Sequence, residues 1–268
     1  MNPLSRRAVA ALRAALLLGV LMFGACTGDS REPLLVRSYP LEAGWVWHYI
    51  RTLDVELVGY PGVNRLADSA WVETRGRVLR EGRPVFELVS HHRLGSGLVE
   101  SCEFFHQDEE GLTHFPALGP GSDLAVYPKP GSGAGVPPAP SLSPLPTTAD
   151  SGAADPRLVL AYPLRFGNSW VASRRPDLVI RQMMGEETID VPAGRFRTAR
   201  IHTTVYGDPA FEFDDWLAPV GLVRRRVDLR VDDFLFPGNP APEHVIQIVE
   251  LIGYRRPGTA PGNRPRRR

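Results

Sequence analysis

The side chains that could do chemistry in this sequence are histidines, paired carboxylates and two cysteines. The adjacent His91 and His92 could ligate a metal, but neighbouring side chains on a strand point to opposite faces. No His-x-x-x-His or Cys-x-x-Cys spacing occurs. Asp214 and Asp215 lack the Asp-x-Asp-x-Asp-Gly loop of a calcium site, so we interpret them as charge at a strand end. We expect no metal, no cofactor and no catalytic residue.

The two cysteines, Cys26 and Cys102, lie in different surroundings. A catalytic thiol at Cys102 would need a histidine and an orienting group close in space, and the sequence does not place them there. We therefore interpret Cys102 as a small buried apolar residue. Cys26 ends an apolar leader and is the candidate for modification, so we expect no intrachain disulfide.

Residues 1–25 have the features of an export signal. Arg6 and Arg7 precede an apolar run, residues 14–22 (AALLLGVLM), and two small residues, Gly24 and Ala25, follow. A bilayer core of about 30 Å needs about 20 apolar residues in a helix, so the run is too short to span it. We predict a signal peptide over residues 1–25.

The segment FGAC, which ends in Cys26, resembles the lipobox of bacterial lipoproteins. That resemblance implies a diacylglyceryl group on the Cys26 thiol, cleavage just before it and acylation of the new N-terminus. Each buried CH₂ of such chains contributes about 0.8 kcal/mol to membrane binding. Thr27, in the place where an Asp would retain the protein at an inner membrane, implies the outer membrane if the host has two. An ordinary cleaved signal with an incidental cysteine is the alternative.

The charge of the body argues against a nucleic-acid-binding protein. The leader holds three arginines and residues 255–268 hold six, with no acid in either. Without them, 22 basic and 30 acidic residues remain, a net charge of −8. Phosphate contacts would need a basic face. We expect residues 26–38 to be a flexible tether and residues 255–268 a disordered tail that contacts anionic lipid or nothing.

The body, residues 39–254, has a pattern typical of β-strands. Short runs rich in Val, Leu, Trp and Tyr are separated by Gly and Pro, and Pro192 to Gly194 forms the clearest hairpin signal. No helical periodicity longer than two turns occurs outside the leader. Residues 127–156 are rich in Pro, Gly and Ser and are predicted to be a mobile loop. The fold class is mainly β: one curved antiparallel sheet or half-barrel.

A repeated segment divides this body. YPLEAGWVW begins at Tyr39, and YPLRFGNSWV begins at Tyr162. Each half offers about four or five strands, which is marginal for an independent core without a disulfide. We therefore predict a single domain built from two similar halves, with the two copies as equivalent structural corners rather than two sites.

The repeats, together with VPAGRF and WLAPVGLV, resemble a family of uncharacterised bacterial envelope lipoproteins. Its motifs are a repeated Pro-Leu-x-x-Gly-x-x-Trp, then Val-Pro-Ala-Gly-x-Phe and Trp-x-Ala-Pro-x-x-Gly-Leu-Val. That family in turn resembles the half-barrel lipoprotein carriers of the LolA-like kind, which shelter acyl chains on a concave apolar face. The resemblance implies a fold more firmly than a function, and it implies no catalytic residues.

Four tryptophans are candidates for a ligand site: Trp45, Trp47, Trp170 and Trp216. They either fill the core of the β domain or line a cavity for an acyl chain or another hydrophobic ligand.

The sequence therefore predicts an exported, non-enzymatic lipoprotein, anchored in the cell envelope through acylated Cys26. Its body is expected to bind a hydrophobic ligand or an envelope protein partner, and no nucleic acid. Two alternatives remain: an envelope hydrolase acting on cell-wall or lipid substrates, and a structural accessory subunit of an envelope complex.

Overall fold

The computed structural model describes residues 36–57, 63–80, 82–94, 97–115, 156–175, 177–207, 210–230 and 242–258. All of these belong to one unit, residues 34–268. The predictions for the leader, Cys26, most of the Pro-rich loop and the end of the tail lie outside the described residues.

Twelve strands form one antiparallel sheet, and the described part of the chain contains no helix. The prediction of a mainly β protein with a single antiparallel sheet is confirmed. The strands are β1 (Val46–Leu57), β2 (Val63–Arg80), β3 (Arg83–Leu94), β4 (Gly97–Gln107), β5 (Gly111–Phe115), β6 (Arg157–Ala161), β7 (Ser169–Ser173), β8 (Leu178–Val191), β9 (Gly194–Tyr206), β10 (Phe211–Ala218), β11 (Gly221–Arg230) and β12 (Pro242–Arg255).

The order of strands in the sheet is β6-β5-β4-β3-β2-β1-β12-β11-β10-β9-β8-β7. Each half of the chain, β1 to β6 and β7 to β12, is a meander in which sequential strands pair. The halves join where β1 pairs with β12, from Val46 opposite Arg255 to Leu57 opposite Pro242. The edge strands β6 and β7 lie side by side, since the Trp170 indole reaches the Leu158 carbonyl. The sheet is therefore nearly closed, like a barrel, and is more complete than a half-barrel.

The two Tyr-Pro-Leu copies, one before β1 and one before β7, make matching backbone hydrogen bonds at their glycines, although the Tyr162–Pro163 bond of the second copy is cis. In the first copy the Gly44 N–H donates to the Thr74 carbonyl at 3.0 Å, and the Thr74 N–H donates to the Trp45 carbonyl at 3.0 Å. Gly44 and Gly167 both have positive φ, +94° and +82°, which glycine adopts without steric cost. The corners are therefore equivalent, as predicted. The bonds of the second copy run from Gly167 N to Met183 O (2.9 Å) and from Met183 N to Asn168 O (2.8 Å).

The Val-Pro-Ala-Gly-x-Phe motif forms the turn between β8 and β9, where the sequence predicts a hairpin. Gly194 has φ +131°, which closes this turn. The hairpin reaches β12, because the Ala193 N–H donates to the Leu251 carbonyl at 3.0 Å. Ile189, near its tip, is buried in the main apolar core. The hairpin thus packs against β12 at one end of the sheet.

Candidate binding site in the interior of the sheet

The inner face of the sheet is the face that carries Trp47 and Tyr49, both fully buried. Because side chains alternate along a strand, Arg51, Leu53 and Val55 of β1 lie on this face as well. The paired positions on β2 and β12 extend it around the sheet. All of the inner-face positions below are assigned by this alternation and register.

Trp45 and Trp47 form a stack on the inner face where β1 begins. Their ring centroids are 5.6 Å apart, with an angle of 5° between the planes. The Trp47 indole N–H donates to the Val220 carbonyl at 2.5 Å. Both rings belong to the main apolar core.

Trp216 and Trp170 also contact this core. The Trp216 indole donates to a Glu187 carboxylate oxygen at 2.6 Å, and the Trp170 indole donates to the Leu158 carbonyl at 3.1 Å. Trp216 is buried, and Trp170 is partly buried. All four predicted tryptophans thus contact one core, although Trp216 lies on the outer face with Arg200 and Arg224. The hypothesis that the four line a ligand site stays a prediction.

A buried ion network lies on the inner face below this core. Asp215 accepts from Arg225 Nε at 2.7 Å and Nη2 at 2.9 Å, and from Arg181 Nη2 at 2.6 Å. Arg181 also donates to Thr203 Oγ1 at 3.1 Å and to the Val159 carbonyl at 2.8 Å. Burial lowers the pKa of Arg181 to about 10, and Asp215 opposes that shift, so its guanidinium stays charged at neutral pH.

Asp214 and Asp215 show why the sequence did not reveal this network. They lie within β10 and not at its end, so the strand-end interpretation was wrong. Asp214 points outward and accepts from Arg200 Nη2 at 2.9 Å. Asp215 points inward with 0% of its side chain exposed. Only the pairing of β8, β10 and β11 brings two arginines to it.

A second ion pair joins β1 and β2 on the inner face. Arg51 Nε donates to Asp68 Oδ1 at 2.9 Å, and Arg51 Nη2 pairs with the other carboxylate oxygen. Arg51 is buried, whereas 29% of the Asp68 side chain is exposed. Burial, followed by the charge of Arg51, lowers the pKa of nearby His92 to about 4. This pair therefore sits where the polar interior meets solvent.

A third polar group occupies β4, β5 and β6. His114 Nε2 lies 3.7 Å from Glu103 Oε1, and Arg157 is the residue opposite His114 in the register. Burial, followed by the positive charges of Arg157 and Arg80, lowers the pKa of His114 to about 3. His114 is therefore a neutral ring at physiological pH.

These charged residues separate two apolar regions of the interior. Along β8, β9 and β10 the inner-face residues run from the main core through one polar position to a second apolar cluster. We call the polar positions the polar layer; it consists of Arg51, Asp68, Arg181, Thr203, Asp215 and Arg225. The three strand series are Met183, Arg181, Val179; then Ile201, Thr203, Val205; then Leu217, Asp215, Phe213.

The apolar wall beyond the polar layer is open to solvent. Leu53 and Leu66 face each other across β1 and β2, directly after the Arg51–Asp68 pair. Leu66 is on the inner face and is nevertheless 49% exposed. Val55 and Val245 are paired across β1 and β12 and are only partly buried. We call these four residues the open wall.

The other candidate residues do not come together. His91 lies on the outer face, stacked on Trp71 at 4.5 Å, while His92 faces inward, so the two histidines point apart as the sequence predicts. Burial and the nearby Glu87 raise the pKa of the Cys102 thiol. Among the described residues, no three His, Cys, Asp or Glu side chains are grouped to hold a metal ion.

Comparisons with known proteins give few matches to this chain. No protein-family model matches it, and neither does any curated protein. The family resemblance based on the motifs therefore stays a prediction. Nor does any helix in the described ranges have the length and apolar character needed to cross a membrane.

Two solved structures are distantly similar. One is a Bacteroides fragilis protein inferred to be exported, with a YmcC-like fold; it has 10% identity and a TM-score of 0.40 over 84% of this chain and 100% of that one. The other is a Parabacteroides distasonis protein inferred to be a lipoprotein; it has 12% identity and a TM-score of 0.33 over the same shares. At this distance, no function is transferred to the present chain.

Proposed function

We propose that the protein is an exported, non-enzymatic lipoprotein that is anchored in the cell envelope and binds a hydrophobic ligand inside its sheet. The ligand contacts the open wall. Acylated Cys26 holds the protein at a membrane, which is the outer membrane if the host has two.

The exposure of Leu66 carries this proposal. An apolar side chain on the inner face of a nearly closed sheet normally packs against other inner-face residues. Leu66 is 49% exposed instead, and its cross-strand partner Leu53 is only partly buried. Binding sites for small apolar ligands are concave and lined mostly by such residues. The open wall supports the proposal because it presents apolar residues of this kind on the inner face.

The environment of Cys102, the candidate nucleophile among the described residues, supports the proposal of a non-enzymatic role. Cys102 would react as a thiolate, and both burial and Glu87 raise the pKa of its thiol. Of the carboxylates on the inner face, Asp215 is engaged by two guanidiniums and is fully buried, and Asp68 is paired with Arg51. A hydrolase would need a reactive group that is accessible to substrate.

Native mass spectrometry of the full-length chain with Cys26→Ser, expressed with its own leader, tests the ligand. The substitution removes the acylated thiol, so any bound lipid is a ligand rather than the anchor. We expect a bound mass that denaturation releases as lipid. Adding Leu66→Glu places a charge on the open wall, and we expect the bound mass to be lost.

Leu98→Glu is the matched control for this experiment. Leu98 is 52% exposed but lies on the outer face of β4, since its neighbour Val99 pairs with inward-facing His92. The Leu98→Glu variant should therefore retain the bound mass. If no bound mass is found for Cys26→Ser alone, with Leu66→Glu or with Leu98→Glu, this result contradicts the ligand-binding role.

Docking of an envelope protein partner is the second candidate function. Its support is a set of exposed apolar side chains around the edge strand β7. Phe166, just before it, is 80% exposed, and Val171 and Met184 are exposed on the outer face. Contiguous exposed apolar residues mark interaction surfaces. Crosslinking from Phe166, with Leu98 as the control position, would recover a partner in this case.

A further inference from the structure

The segment before β1 and the segment after β12 meet at the same end of the sheet. Val36 is 3% exposed and packs in the main apolar core, so the chain is held against the sheet from this residue onward. β12 ends at Arg255, which is paired with Val46 at the start of β1. Pro257 lies beside Gly44 of the first Tyr-Pro-Leu copy. We call this end of the sheet, where β1 begins, the β1 end.

The segment that continues from the β1 end is strongly basic. Residues 255–268 hold six arginines and no acid. Arg255 and Arg256, the first two of these arginines, are exposed. Arg256 Cζ lies 5.8 Å from the centroid of the Trp45 ring and 6.0 Å from that of Tyr254, distances at which a cation and an aromatic ring attract each other. The basic segment therefore starts on the surface of the β1 end.

The proposed anchor is connected to the same end. Nine residues lie between Cys26 and Val36, so a fully extended chain of about 3.6 Å per residue would keep an acylated Cys26 within about 36 Å of Val36. The ten residues from 259 to 268 have a similar maximum span. A bilayer that holds Cys26 is therefore within reach of the basic segment.

The open wall lies at the opposite end of the strands. Along β1, eight residue steps separate Trp47 from Val55, which is about 26 Å at the rise of a β-strand. Leu53 and Leu66 are paired near Val55. A membrane in contact with the β1 end would therefore leave the open wall facing away from it.

We propose that the β1 end is a membrane-docking surface, on which the basic segment 255–268 binds the headgroups of anionic lipids. The acyl chains on Cys26 insert into the same bilayer, and the open wall faces away from it. A lipid chain and a polybasic segment are two signals that together hold a protein at a membrane. This inference rests on the proposed anchoring and adds to it the lipid charge and the orientation.

The contact lies on the side of the β1 end that β1 and β12 form. The exposed residues Asp108, Glu109 and Glu110 lie in the turn between β4 and β5, at the same end but four strands from β12. An anionic surface would repel these carboxylates. The arginines that follow β12 therefore decide which side of the sheet approaches the bilayer.

Vesicle binding of the chain from Thr27 to Arg268, secreted with a cleavable leader, tests this surface. The chain contains the whole unit, residues 34–268, but neither the acylated cysteine nor the apolar leader, so binding reports the surface alone. The probes are vesicles of phosphatidylcholine and vesicles of an equimolar mixture with phosphatidylglycerol. We expect binding to the mixed vesicles alone, and its loss as added salt screens the charges. Equal binding to both, or binding to neither, overturns the proposal.

Two pairs of substitutions separate the β1 end from total charge. Arg255→Gln with Arg256→Gln should weaken binding about 25-fold, since each arginine near an anionic surface contributes about fivefold in affinity. Arg65→Gln with Arg226→Gln removes the same charge from exposed positions within β2 and β11, so affinity should be nearly unchanged. Equal weakening by the two pairs overturns the proposal. Thermal unfolding followed by circular dichroism verifies that each variant is folded.

A fluorescent label reports which end of the sheet faces the bilayer. Ser38→Cys lies at the β1 end and Ala67→Cys lies on the outer face toward the open wall, each in a Cys102→Ser background. Both native side chains are uncharged and exposed. An environment-sensitive label should brighten on mixed vesicles at Ser38→Cys and not at Ala67→Cys. A larger change at Ala67→Cys reverses the orientation and overturns the proposal.

The outcomes also separate this inference from the anchoring on which it rests. Incorporation of labelled palmitate tests Cys26 in the full-length chain, whereas the vesicle experiment does not involve Cys26. If palmitate is incorporated but the chain from Thr27 to Arg268 does not bind anionic vesicles, the docking surface fails and the anchor stands. If the vesicles are bound but palmitate is not incorporated, the anchor fails and the docking surface stands.

Discussion

Trp170 donates its indole N–H to the carbonyl of Leu158 at 3.1 Å, and this bond joins the two edge strands of the sheet. Within the sheet, β7 pairs with β8 and β6 pairs with β5. Arg181 adds a second bond across the same gap, to the Val159 carbonyl at 2.8 Å. By contrast, β1 and β12 join the two halves by backbone pairing along their whole length, with two register shifts. Within the described residues, these two hydrogen bonds across the edge strands thus come from side chains.

Trp170→Phe should loosen the contact between β6 and β7. The phenyl ring keeps most of the apolar contact but cannot donate to Leu158, and loss of one hydrogen bond costs about 1 kcal/mol. We expect a loss of that size in the free energy of unfolding by urea. Amide hydrogen exchange should become faster in β6 and β7. Trp71→Phe, on the outer face, is the control; an equal effect there would contradict a role for the indole bond.

Alanine at either repeat glycine should destabilise the fold by a similar amount. Gly44 and Gly167 have φ of +94° and +82°, and a Cβ at either would meet no close neighbour. The cost is then backbone strain alone, about 1–2 kcal/mol for each substitution. Urea unfolding of Gly44→Ala and Gly167→Ala measures it.

Gly253→Ala is the control for these two variants. A Cβ at Gly253 also meets no atom within 4 Å, but its φ lies outside the left-handed region. It should therefore be neutral or slightly stabilising, because alanine restricts the unfolded chain. If Gly253→Ala costs as much as the other two, the positive φ is not the cause.

The sequence predicted the strands and the equivalence of the repeats because both follow from local patterns. Gly44 and Gly167 each stand three residues after a Leu and three before a Trp, so the same glycine turn forms twice. When the two copies are aligned at these glycines, Trp47, rather than Trp45, corresponds to Trp170. Both donate an indole N–H to a backbone carbonyl.

The polar layer could not be predicted because it depends on the pairing of distant strands. Asp215 and Arg225 are close in sequence, but Arg181 reaches them only through β9. Periodicity shows that alternate residues share a face, yet it does not show which face is buried when both carry charge. In the run from Arg224 to Arg226 every residue is charged, so the sequence does not indicate which of these side chains faces the interior.

Asp215→Asn should destabilise the protein far more than Asp214→Asn. The first leaves two buried guanidiniums without their carboxylate, and breaking a buried ion network in this way costs about 3–5 kcal/mol. Asp214 contacts Arg200 and His202, and the Arg200 side chain is 42% exposed, so the loss of this carboxylate should cost about 1 kcal/mol or less. Thermal unfolding of the two isosteric variants compares them directly. Equal melting temperatures would contradict the role of the network.

Cys26→Ser should abolish incorporation of a labelled fatty acid into the protein. The thiol is the atom that the lipobox resemblance implies is acylated, and a serine hydroxyl does not replace it. Metabolic labelling with radioactive palmitate, followed by immunoprecipitation, measures this. Cys102→Ser is the matched control and should be labelled like wild type. Unchanged labelling of Cys26→Ser would contradict the anchor.

His114 should make the protein less stable as the pH falls. Its pKa is about 3 in the folded chain against an ordinary value of 6.5. Between these values the unfolded chain binds the proton and the folded chain does not, so the free energy of unfolding rises with pH across this window. From pH 7 to about pH 5, this one residue should account for a loss of about 2 kcal/mol.

Urea unfolding of wild type and His114→Gln at both pH values isolates this effect. The groups around the ring are Glu103, Arg157 and Arg80, and they are present in both proteins. The lowered pKa of His92 also acts in both and cancels in the comparison. His114→Gln should therefore lose about 2 kcal/mol less than wild type on acidification. The exposed His106→Gln should behave like wild type, and an equal loss in His114→Gln would mean that other groups cause the pH dependence.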